Sequence, residues 1–195
     1  AIPYFNDLQK EMKYHQLVLM IDTLRLIITE KPQIQLNRNN FLTLLKTGMF
    51  VPAEYQLTAA VDLIDQLENF LLEYGLDYSA LQRDLQDFVM PDTLTADKLA
   101  DIKQLNDFKN TVIHELTTLQ KKLAQTTDTK TALGIFYDFL VSNQAIKILE
   151  QKRETALAQG DLELAVQPEQ VLSTLNSILQ DYLTINPANF AINDF

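Results

Sequence analysis

The side chains able to do chemistry are few and scattered. His15 and His114 are the two histidines of the chain. Neither has a second histidine three or four residues away. The paired spacing that lets one helix face hold zinc is therefore missing, although His114-Glu115 begins like that pattern. Both read as surface or core-edge histidines. Carboxylates are plentiful, and Glu68, Glu73, Asp77, Glu150, Glu154, Asp161 and Glu163 could supply a general acid and base. No spacing selects a pair among them, and acidic helix faces are ordinarily solvated. Lys46-Thr47-Gly48 holds the residue types of a phosphate loop in the wrong order, without the upstream glycine or the strand before it. Gly48 reads instead as a helix stop. Lys121-Lys122, and Lys147 with Lys152-Arg153, are the basic concentrations. Each lies among carboxylates, as ion-paired helix faces do. Thiol chemistry and disulfides are excluded, because the chain contains no cysteine. The expectation is that the chain carries no catalytic, cofactor-binding or metal-binding residue.

The elements that would have to position such residues are helical. The 195 residues include only four glycines and six prolines, and no tryptophan. That scarcity of turn formers suits long helices joined by short turns and argues against an all-β fold. The length suffices for one sizeable domain with a buried core. A formal net charge of -10 makes the surface as a whole a poor binder of nucleic acid or anionic membrane. The most apolar run, Leu17 to Ile28, is too short to span a bilayer and is interrupted by Asp22 and Arg25. The first residues lack the basic and apolar regions of a secretory signal. A cytoplasmic location is expected, and the chain reads as a piece of something longer.

In chain order, Ile2 to Phe5 is expected to be extended. Apolar residues at helical spacing predict a helix from about Glu11 to Thr29, with Leu17, Met20, Ile21, Leu24, Ile27 and Ile28 inward and Pro32 as its stop. Asn39-Asn40 is the expected cap of a short helix from Phe41 to Thr47. A helix from Glu54 to Tyr74 follows, with Ala60, Ile64, Leu67, Leu71 and Tyr74 on its inner face and Gly75 ending it. Ser79 to Val89 is expected to be helical, with Leu81, Leu85 and Phe88 inward. Thr95 is the N-cap candidate for the longest pattern: Leu99, Ile102, Leu105, Phe108, Val112, Leu116, Leu119 and Leu123, a stripe of coiled-coil type. Asp128 or Thr129 caps the next helix, with Leu133, Phe136, Tyr137 and Leu140 inward, and Ser142-Asn143 breaks it. Gln144 to Gln159 resumes with Ile146, Leu149 and Leu157 inward. Gly160 stops that helix, and Asp161 caps a last long one whose inner face is Leu164, Val171, Leu175, Ile178 and Tyr182. Pro168 predicts a kink or split in it. Asn186-Pro187 has the form of a further helix start. Phe70, Phe88, Phe108, Phe136 and Phe139 lie in these stripes, as core residues rather than base-stacking platforms. The fold expected is all-α: an irregular multi-helix bundle with short loops and a brief extended N-terminal segment.

Several stretches, in order, resemble one family, the B subunit of the AddAB (or RexAB) helicase-nuclease of Gram-positive bacteria. They are Ile2-Pro3-Tyr4-Phe5-Asn6-Asp7 with Met12 and His15-Gln16-Leu17-Val18; Phe41 to Phe50, which contains Leu44-Leu45-Lys46-Thr47-Gly48; Leu67 to Leu76; Phe136 to Leu140; and Gly160 to Ala165 with Glu169-Gln170-Val171. The sequence departs from the family at Asn6, at Gln16 (where the family has proline) and at Pro168. The resemblance implies a helicase-like body, a C-terminal nuclease domain, and a part in recognising Chi sequences during double-strand break repair. It also implies that this chain is a single helical domain cut from a larger protein. Residues 1–30 would resemble the start of the second RecA-like domain, and 31–195 its helical 2B insertion. The family's nuclease carboxylates, nucleotide-binding loop and iron-sulfur cysteines would all lie elsewhere, so no cofactor is expected in this segment.

On that basis the segment is expected to be non-catalytic and its parent protein an enzyme, part of an ATP-dependent deoxyribonuclease. Its expected partners are the AddA/RexA-like A subunit and the rest of the B subunit. DNA is a partner of the full complex, with weak or no binding by the segment alone, and no membrane is involved. An alternative is a helical protein–protein interaction module of another assembly, motivated by the stripe from Leu99 to Leu123. A small helical enzyme is a third reading, which would require a pocket of convergent polar groups.

Overall fold

A computed structural model describes residues 15–28, 33–77 and 81–185, together with Phe190 and Ile192. The described residues form seven α-helices and no strand: α1 (Gln16–Ile27), α2 (Arg38–Lys46), α3 (Leu57–Glu73), α4 (Ala96–Ala124), α5 (Thr129–Ser142), α6 (Ala145–Ala158) and α7 (Leu162–Ile185). The all-α expectation holds. The extended segment expected at Ile2–Phe5, the start of the first helix at Glu11 and the helix expected from Asn186-Pro187 lie outside the described residues.

Local chemistry sets most of the boundaries. Thr95 and Asp128 cap α4 and α5 by accepting the Lys98 and Thr131 amides. Asp161 caps α7, its Oδ1 accepting the Leu164 N–H at 2.9 Å. α2 begins three residues earlier than Phe41, because Asn37 rather than Asn39 or Asn40 is its N-cap. The Asn37 side chain accepts the Asn40 amide at 2.9 Å, while Asn40 accepts the Asn37 amide at 2.8 Å. This reciprocal box satisfies two otherwise orphaned donors. Asn37→Ala is expected to cost about 1 kcal/mol, read as a lower urea midpoint; an unchanged midpoint would show that the box contributes nothing. At the end of α3, Leu76 N–H returns to the Leu71 carbonyl at 2.8 Å. The turn requires the left-handed φ of +60° that Gly75 adopts.

Each helix packs on the next in sequence, α1 on α2, α2 on α3 and so on to α6 on α7, with α5 also touching α7. One apolar core runs through the molecule. Phe41, Phe50, Phe108 and Phe136 lie at its centre with Leu17, Met20, Leu44 and Leu45. Phe50 stacks on Phe139 with ring centroids 5.5 Å apart, and Tyr55 meets Phe108 edge-on at 5.0 Å. Seven of the eight stripe residues of α4, from Ile102 to Leu123, are buried within this one chain. The intermolecular coiled coil suggested by that stripe thus loses its motive.

Five inward assignments are corrected, each for a geometric reason. Leu99 is exposed: the first turn of α4 stands outside the core, where the Lys98 ammonium donates to the Tyr74 hydroxyl. Tyr137 is exposed because Phe136, Phe139 and Leu140 take the inner face, and an adjacent residue on a helix points about 100° away. Leu157 and Leu164 are exposed at the α6–α7 tip, where the helices close on the small buried residues Ala156 and Ala165. Ile178 is exposed while Leu175 and Tyr182, on either side of it along α7, are the residues that pack against the core.

Two larger expectations also change. Residues 85–88 form a 3₁₀ turn rather than the end of a helix from Ser79. Leu81 and Leu85 are buried as expected, but side chains of α4 take the backbone groups a longer helix would use. Asn106 Oδ1 accepts the Leu85 N–H at 3.0 Å, the Lys109 ammonium donates to the Arg83 carbonyl, and Asp84 caps the turn by accepting the Gln86 N–H. Of the kink or split expected at Pro168, the split is absent: α7 is one helix through Pro168, which is buried on its inner face. The proline lies in the second turn, where it removes a single backbone donor.

Candidate functional site

His15 and His114 are not brought together as a site. His15 is the N-cap of α1, its Nδ1 accepting the Leu17 N–H at 3.1 Å, and His114 lies exposed on α4. Burial, and secondarily the Lys152 ammonium, hold His15 below its ordinary value near 6.5. The unfolded chain therefore binds a proton that the folded chain resists. His15 contributes stability that is fully present above pH 6.5 and is lost as pH falls through its folded value. His15→Asn keeps a capping acceptor and is expected to flatten the fall in urea midpoint below pH 6.5; an identical slope in both proteins would remove His15 as its source.

The carboxylates are dispersed in structural roles. Both oxygens of Glu68 accept from Lys46 at 2.7 Å, joining α2 to α3. Asp77 accepts the Arg38 N–H at 2.9 Å, at the start of α2, where the helix dipole favours a negative charge. Asp161 is the cap of α7, while Glu73, Glu154 and Glu163 are exposed. Among the described residues no three of His, Asp or Glu group closely enough to hold a metal ion. Of the basic residues, Lys121 and Lys122 end α4 in solvent. Lys147 donates to Gln144 Oε1 at 3.1 Å, and the Lys152 ammonium donates to Gln16 Oε1, with Met49 Sδ 3.8 Å away.

A shallow groove of about 640 Å³ runs between α6 and α7. Leu149, Pro168 and Leu172 line it with Glu150, Arg153 and Glu169, and Ser173 and Asn176 edge it. Its charges are mixed, and Ser177 and Gln180 complete its lining.

What sequence reasoning missed is structural. Gln144 has φ +59°, the one non-glycine with positive φ among the described residues. Its amide nitrogen faces three carbonyls, Val51 at 3.3 Å, Pro52 at 3.1 Å and Tyr55 at 2.9 Å. The Val51 N–H in turn donates to the Asn143 carbonyl at 3.1 Å. The turn between α5 and α6 is thereby stapled to the loop before α3. Asn106 and Lys109 are a second miss. Each lies four residues after a stripe position, Ile102 or Leu105, which was the available signal for polar groups at the edge of the core. Burial holds the Lys109 amine below its ordinary range, against the opposing pull of Asp84 and Asp87.

The described residues thus define an all-helical scaffold whose polar side chains cap, staple and pair. No helix among them is long and apolar enough to cross a membrane. No protein-family model matches the chain. Among curated proteins it is 37% identical over 196 residues to the B subunit of the ATP-dependent helicase/deoxyribonuclease of Lactobacillus helveticus. It is 38% identical over 197 residues to that of Lactobacillus johnsonii, and 32% identical over 205 residues to that of Lactiplantibacillus plantarum. Each alignment covers the whole chain and 16–17% of the relative, so the chain spans about one sixth of their length. The chain belongs to the family of ATP-dependent helicase/deoxyribonuclease B subunits (AddB/RexB), as a segment of that sequence.

Proposed function

We propose that this chain is a non-catalytic helical domain of the B subunit of an ATP-dependent helicase-exonuclease acting in double-strand break repair and recombination in the cytoplasm. Its work is architectural: it packs against the rest of its own polypeptide and the A subunit, and it borders the DNA path. In this reading residues 1–30 lead out of the second RecA-like domain and 31–195 form its helical 2B insertion. The observation that carries the proposal is similarity to B subunits along the whole chain. Candidate reactive side chains engaged in capping and pairing support a role without chemistry of its own.

The isolated chain is expected neither to hydrolyse ATP nor to cleave DNA. With a net charge of -10, it is expected to bind duplex DNA more weakly than ~10 μM at physiological salt, read by fluorescence anisotropy. Submicromolar, salt-sensitive binding, or either activity in the purified chain, would overturn the reading.

A further inference from the structure

We draw no further inference here: the strongest candidate, the exposed aliphatic patch of Leu157, Leu162, Leu164 and Val166 at the tip of the α6–α7 hairpin, is an unpartnered apolar surface, and nothing in the structure shows what covers it.

Discussion

Gln144→Ala is expected to lower the unfolding free energy by about 3 kcal/mol. The side-chain amide is lost from the buried carbonyls of Val51, Pro52 and Tyr55, and acceptors left unsatisfied inside a protein cost about 1–3 kcal/mol each. Pro52 is partly compensated, since its carbonyl also accepts the Tyr55 N–H at 3.0 Å. Alanine carries the same cost of the left-handed backbone at φ +59° as the glutamine it replaces. Gln144→Gly loses the same hydrogen bonds without that strain, and should be less destabilising than alanine by about 1 kcal/mol. Urea denaturation of the three proteins separates the contributions. If alanine falls within about 0.5 kcal/mol of the parent, the staple is not a source of stability.

Phe108→Ala should cost about 4 kcal/mol, and Phe108→Leu about 1.5 kcal/mol or less. Phe108 is fully buried near the middle of α4, and its ring takes the edge of Tyr55. Truncation removes both the apolar burial and the wall against which the loop before α3 is set. For a chain of this length 1 kcal/mol corresponds to about 2–4 °C, so a melting point some 10 °C lower is expected. Tyr55 is also where the two predictions meet, since Gln144 holds its carbonyl and Phe108 its ring. The double variant should therefore cost less than the two single losses together. Strict additivity in a double-mutant cycle would mean that the loop is not held jointly.

The parts of this fold that were legible in the sequence are those decided within a few residues. Thr95, Asp128 and Asp161 announce helix starts because their acceptors serve amides two or three positions on. Gly48, Gly75 and Gly160 announce stops because each adopts the left-handed φ. The eight-position stripe of α4 announced burial through its spacing alone, and only its first residue was misplaced. The parts that were not legible depend on distant partners. Nothing near Gln144 reveals that carbonyls from 51–55 will reach it. The periodicity of 79–89 is helical in isolation, and the turn forms because Asn106 and Lys109 arrive from α4. The inward assignment of Ile178 was sound as a helical phase, but the body of the fold covers Leu175 and Tyr182 on either side of it instead. For the site, the expectation of no reactive grouping came from spacing. The capping and pairing roles of individual carboxylates became visible only with the tertiary contacts of Glu68 with Lys46 and Asp77 with Arg38.

The helix-on-next-helix order of packing has a consequence for how the domain is made. Each helix finds part of its apolar cover on the helix synthesised immediately before or after it. Local closure of this kind is entropically inexpensive and fast. The growing chain can add one helix at a time to an already compact body as it leaves the ribosome, without waiting for distant sequence. The staple at Gln144 is one of the long closures, beside the Phe50–Phe139 stack and the contact of Lys152 with Gln16, and it joins a loop of about ninety residues back to Val51, Pro52 and Tyr55. It can form only once α5 has emerged. Nascent chains ending before and after this point should therefore differ sharply in resistance to protease. That resistance should appear before α7 is complete.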